Sequence, residues 1–200
     1  MRTLLLSALF AVGCASAGQQ PATHYSGEPF DLAAHPGRIT GQVCGMDLDV
    51  DVKHHGDAVA LTGFLDGKFP VNLSARPLGR GLAIDGALGT AAGQAAVELR
   101  VAADQLDGRV GFRKFDLQGS GDALVGTMQI PDAIERPNVT LEGRAQLAAL
   151  PMETQAALVP TLLTCNVQTQ GNFGRSDLVV RVGGPAGALP HQSSSLYSRE

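Results

Sequence analysis

The chain has no tryptophan, two tyrosines and seven phenylalanines in 200 residues. Broad aromatic platforms for stacking bases or sugar rings are not available, which argues against single-strand nucleic-acid and carbohydrate recognition. Basic clusters are missing as well. The formal net charge is −4, and no run of Lys or Arg forms a phosphate-tracking patch, so no nucleic-acid partner is expected. No apolar run is long enough to cross a bilayer as a helix. There is no CxxC pair, no glycine loop between strand and helix to cradle phosphate, and no EF-type loop. What the chain holds in quantity is glycine, 25 residues, beside Leu, Val, Ile and Ala to build a core. The length suits one domain able to fold alone.

The most specific segment is the N-terminus. Met1-Arg2-Thr3 precedes an apolar run from Leu4 to Gly13 that ends at Cys14. One positive charge, about ten apolar residues and small residues behind them make a secretory leader. Two cleavage positions compete within residues 1–17. Ala11-Val12-Gly13-Cys14 resembles the lipobox of bacterial lipoproteins, with Ala11 where leucine is usual. That resemblance, which covers the leader only, implies cleavage before Cys14, a lipid on its sulfur and a membrane as partner. Ala15 follows, not aspartate, which in Gram-negative lipoproteins implies the outer membrane. Ala15-Ser16-Ala17 is the ordinary small-x-small site, with cleavage before Gly18 and a periplasmic or secreted product.

With Cys14 set aside, Cys44 and Cys165 remain as an even pair, and an oxidising compartment favours a disulfide between them. Such a bridge would close a loop of about 120 residues, worth roughly 5 kcal/mol in the chain-entropy model. Two separate buried thiols are the alternative.

Residues 15–37 read as a tether, because Gly18-Gln19-Gln20-Pro21, Ser26-Gly27-Glu28-Pro29 and His35-Pro36-Gly37 leave no room for periodic structure. Phe30 and Leu32 support the other reading, an ordered arm packed on the domain. From Arg38 the period is two. Met46, Leu48, Val50 and Val52 alternate with Asp47, Asp49, Asp51 and Lys53, a strand with one dry and one wet face. Further alternating runs follow through Leu147, separated by turns such as Asp66-Gly67. Phe112 shares the phase of Leu106 and Val110, while Phe115 and Leu117 are out by one, which predicts a β-bulge near Arg113-Lys114. Leu150–Leu163 is the one helical candidate, with Pro160 expected to end or kink it. Leu178–Val182 reads as a last strand, and residues 184–200 as a flexible tail.

An apolar-x-Gly triplet recurs: Ile39-Thr40-Gly41, Leu61-Thr62-Gly63, Ile84-Asp85-Gly86, Leu106-Asp107-Gly108, Leu124-Val125-Gly126 and Leu141-Glu142-Gly143. The glycines are 22, 23, 22, 18 and 17 residues apart, one hairpin per unit. A recurrent glycine on an apolar strand face marks curvature or close approach of another element; chance in a glycine-rich chain is the alternative. The expected fold is therefore mainly β: a single domain over residues 38–183, an antiparallel meander closed or curled into a barrel-like or two-layer form, with one short helix packed on it. The charged second face and the few aromatics argue against a membrane barrel.

No group of residues makes a catalytic case. Asp47, Asp49 and Asp51 lie along a straight strand and do not converge on a cation. His54-His55 with Asp57 sits in a turn, His24 and His35 in the tether and His191 in the tail, so no metal site is expected. Gly119-Ser120-Gly121 is a turn rather than a nucleophile elbow. Asn138-Val139-Thr140 matches a glycosylation sequon that a bacterial lipoprotein would rarely use. No cofactor is expected. The leading reading is an anchored envelope component with a structural or protein-binding role. The alternative is a carrier of a small apolar ligand or lipid, which an apolar cavity of a few hundred Å³ would favour and a filled core would sink. An enzyme of unknown class is third.

Overall fold

The computed structural model describes residues 22–131, 137–165 and 178–185. The leader, Cys14 with its expected lipid, and the tail beyond 185 lie outside the described residues, as does most of the stretch after Cys165. Twelve consecutive strands form an antiparallel meander: β1 (Thr23–Glu28), β2 (Phe30–His35), β3 (Arg38–Val43), β4 (Met46–His55), β5 (Ala58–Leu65), β6 (Phe69–Leu78), β7 (Gly81–Thr90), β8 (Gly93–Ala102), β9 (Gln105–Val110), β10 (Arg113–Ser120), β11 (Ala123–Gln129) and β12 (Asn138–Glu142). Two helices follow, α1 (Arg144–Ala149) and α2 (Met152–Cys165), then β13 (Leu178–Pro185).

The meander does not close on itself. β1 and β12 are separated by β13, which runs antiparallel to β1 and parallel to β12 and completes the ring of hydrogen-bonded neighbours. The plain β-barrel expected from the meander is corrected accordingly. Its last partner comes from beyond the helices, and the space within the curved sheet is not a lumen but holds α2. The stretch expected as a tether contains β1 and β2, and Phe30 and Leu32 in β2 are buried.

The two-residue period sets which face is dry. In β4, Leu48, Val50 and Val52 are buried while Asp47, Asp49, Asp51 and Lys53 are exposed. The predicted bulge near Arg113 is instead a hairpin reversal: Val110 pairs with Arg113 across the turn Gly111-Phe112, with Gly111 at φ 61. Reversal restarts the alternation, so Arg113, Phe115 and Leu117 share the inward face of β10 and Phe112 is left outside, 61% exposed.

The glycine triplet is a structural repeat. Its apolar members, Ile39, Leu61, Ile84, Leu106, Leu124 and Leu141, are all buried. Five of its glycines lie in alternate strands, β3, β5, β7, β9 and β11, each opposite an apolar residue of the preceding strand. A Cβ at Gly108 would run into the carbonyl oxygen of Glu98, and one at Gly126 into that of Asp116; the other three meet the neighbouring backbone in the same way. Repeated at alternate strands, these close approaches let a long meander coil tightly. Gly143 departs from the pattern: it is the left-handed residue (φ 80) at the start of α1.

α2 fills the coil. Residues 154 to 163 are buried without interruption, so the helix has no wet face, as expected of one packed on every side. It runs through Pro160 instead of ending there, because packing outweighs the loss of one backbone hydrogen bond. Two hydroxyls of its second half bond within the helix: Thr161 Oγ1 donates to the Ala157 carbonyl at 2.7 Å, and Thr164 Oγ1 reaches the carbonyls of Pro160 at 2.9 Å and Thr161 at 2.7 Å; Thr154 Oγ1, also buried, has no partner among the described residues. Gln155 fixes the helix entry by donating to the Leu150 carbonyl at 2.8 Å.

The expected Cys44–Cys165 disulfide is also corrected. Cys44 is not disulfide-bonded. It holds a positive φ of 54 in the tight turn before Gly45, and its backbone N–H donates to the Pro29 carbonyl at 2.7 Å. Its side chain is half-buried and packs against the core as a small apolar group.

Candidate functional site

The two ends of the coil differ. Strand direction places the turns β2–β3, β4–β5, β6–β7, β8–β9 and β10–β11 at one end, where β1 also begins. α1 covers this end. The Asp122 carbonyl accepts the N–H groups of Gly143 at 2.9 Å and Arg144 at 3.0 Å, its carboxylate accepts the Ala145 N–H at 3.3 Å, and Leu147 is buried beneath.

The opposite end, with the turns β3–β4, β5–β6, β7–β8 and β9–β10, carries a cavity of about 700 Å³. The C-terminal turn of α2 forms its floor at Thr164, and Met46, Leu65, Phe69 and Val110 supply apolar wall. The room comes from small residues, chiefly Gly89, Ala91, Ala92, Ala95 and Gly111, where longer side chains would close the end. Ala95 faces inward opposite Leu88, and a Cβ at Gly111 would sit 3.4 Å from the Ala95 methyl. The Thr90 hydroxyl is held by the Gly93 carbonyl at 2.9 Å.

Arg113 is the one charged residue of the described lining. It points inward because it shares the phase of Phe115 and Leu117. Its guanidinium lies 5.1 Å from the Phe112 ring centroid, and burial pulls its pKa down from the ordinary arginine value. Its Nε is buried and has no hydrogen-bond partner among the described residues. At the same rim Lys68 Nζ stands 4.8 Å from the centroid of the Phe69 ring.

The residues singled out from sequence lie elsewhere and are not brought together. Asp49 forms a two-point ion pair with Arg38 on β3, at 2.8 and 2.6 Å. The hydrogen bonds from Arg38 hold the Asp49 carboxyl below its usual range and raise the Arg38 pKa. Asp47 accepts from Gln42 at 3.1 Å. Glu98 and Arg109 repeat the arrangement between β8 and β9, at 3.0 and 2.6 Å, again lowering the acid and raising the base. His54 and His55 end β4 in exposed positions at the covered end. Among the described residues no three of His, Cys, Asp and Glu cluster as metal ligands. Ser120 is exposed at the end of β10, and Asn138 is exposed at the start of β12.

Sequence reasoning missed the cavity. Its signal was present in the small-residue run from Gly89 to Ala96 and in a cation two residues before an inward phenylalanine. Comparison with protein-family models, curated proteins and solved structures finds no match to this chain.

Proposed function

We propose that the chain is an exported, lipid-anchored envelope protein whose β-domain binds a small apolar ligand at its open end. The observation that carries the reading is the cavity of about 700 Å³, apolar in its walls and within the roughly 300–1,000 Å³ common for ligand sites. A filled core counts against a carrier that swallows its ligand, and α2 does fill the middle. The end cavity moves the site from the interior to the rim. The leader and Cys14 support the address. The described chain begins beside the covered end, opposite the cavity.

The binding test uses a neutral fluorescent apolar probe, N-phenyl-1-naphthylamine, on the mature chain. Saturable enhancement at one site is expected. Ala95→Phe, which fills the cavity, should abolish it while the unfolding midpoint stays in place; absence of saturable enhancement in the parent chain overturns the reading. Intact mass of the membrane-extracted protein tests the anchor: an acylated N-terminal Cys14 is expected, and an unmodified start at Gly18 overturns it.

A protein partner gripping the rim is the second reading, favoured by Phe112, whose ring is 61% exposed at a turn tip. Phe112→Ser would then remove a crosslinked envelope partner, whereas Ala95→Phe, which fills the cavity, would leave that partner in place.

A further inference from the structure

We infer that the open end selects an anionic amphiphile, a single acyl chain ending in a carboxylate, with Arg113 as the headgroup-binding residue. The inference rests on the ligand-binding reading of the same cavity and adds the chemical class of its occupant.

An arginine on the inward face of an apolar strand is costly unless something pairs with it. Arg38 and Arg109 meet acids across strands on the outer face with two-point ion pairs. Among the described residues Arg113 has no such acid. No Asp or Glu is among the described residues lining the cavity. The acid of the described turns at this end, Asp66, is turned toward β4, where its carboxylate accepts the Asp47 N–H at 3.0 Å. The Arg113 Nε is buried out of reach of solvent and has no hydrogen-bond partner among the described residues, so the edge of the guanidinium left for a ligand in the cavity is the fork of its two terminal Nη groups. A carboxylate fits that fork with two parallel N–H···O bonds, and guanidinium is desolvated for such contacts more readily than ammonium.

The neighbouring chemistry fits the rest of the molecule. Phe112 covers one side of the guanidinium, and beyond it the wall is apolar: Met46, Leu65, Phe69 and Val110 offer a chain nothing polar to displace. Lys68 adds a second positive charge at the rim. A quaternary ammonium amphiphile would meet these two cations and no described acid of the lining. A neutral alcohol would fill the apolar wall and leave the guanidinium fork without a charged acceptor.

The experiment is displacement of N-phenyl-1-naphthylamine from the mature chain by palmitate, hexadecanol and hexadecyltrimethylammonium. Palmitate should displace it about 10- to 100-fold more tightly than hexadecanol, the span expected of a hydrogen bond to a charged group. The ammonium compound should be weakest. Arg113→Met should reduce palmitate to the level of hexadecanol, both read against that variant's own probe affinity, and Arg113→Lys should keep part of the preference. Equal displacement by palmitate and hexadecanol in the parent chain, or a palmitate preference that survives Arg113→Met, overturns the carboxylate inference while the cavity remains a binding site. Failure of the probe to bind at all overturns the ligand-binding reading itself, and this inference with it.

Discussion

Among the described residues one end of the coiled sheet is covered by a helix and the other carries a cavity, although both are built from the same short hairpins. At the covered end a six-residue helix lies across the turns, and Asp122 meets its first N–H groups with backbone and side-chain oxygens. At the open end alanines and glycines replace the residues that would fill the gap, and an arginine sits where the strand's phase calls for an apolar side chain. Stability explains the first arrangement. It does not explain the second, since an inward cation with no acid beside it among the described residues is a cost to the fold. Residues that a fold would be more stable without are where binding is to be sought.

The wall common to both ends should respond most strongly. Gly108→Ala puts a Cβ into the Glu98 carbonyl at a φ of 132, and should lower unfolding free energy by at least about 3 kcal/mol in a urea titration. A midpoint within error of the parent would mean that the sheet relaxes there and that the glycine repeat is not needed for coiling. Next is Leu147→Ala beneath α1, expected to remove about 2–3 kcal/mol while probe affinity at the open end is retained. Loss of binding in that variant would show that the ends are coupled. Smaller again is Arg113→Met, which should leave stability unchanged or raise it by up to about 1 kcal/mol, since it replaces a half-buried cation with an apolar chain. A clear destabilisation would make Arg113 a structural residue.

The smallest effect is one of pH. The Asp49 carboxyl is lowered in the folded chain by its hydrogen bonds from Arg38. Its contribution is therefore present above the unfolded value, near 3.9, and is lost as pH falls through the lower folded value. Both partners are more than half exposed, so the contribution is screened. Asp49→Asn should flatten the acid limb of a stability profile slightly below about pH 4 and leave ligand binding unchanged at neutral pH.

The fold was legible where the alternation was clean. Asp47, Asp49 and Asp51 against Leu48, Val50 and Val52 set a dry and a wet face, and the apolar-x-Gly triplets marked the coiling. Around Arg113 the same pattern misled. A bulge and a tight reversal both shift the phase, and only pairing of Val110 with Arg113 tells them apart. Of the two outcomes expected at Pro160, an end or a kink, the end does not occur, because propensity is local and burial on every side is not. Cys44 was assigned to a bridge by counting cysteines, a rule that does not see the turn it occupies. The cavity was hardest to read, since it consists of side chains that are small, and smallness at positions 89–96 has no period to find.

The position of β13 has a consequence for how the chain assembles. It is the one strand whose neighbours, β1 and β12, are both complete before it is made, and it follows the helix that it helps to enclose. Pairing β13 with β1 joins segments more than 150 residues apart, a contact of long loop closure that comes late and slowly. Until then the apolar inner face and both outermost strand edges are open to other chains. A chain ending before Leu178 should therefore collapse around α2 yet associate through its unpaired edges. The last strand acts as the fastener that pairs both outermost edges of the meander.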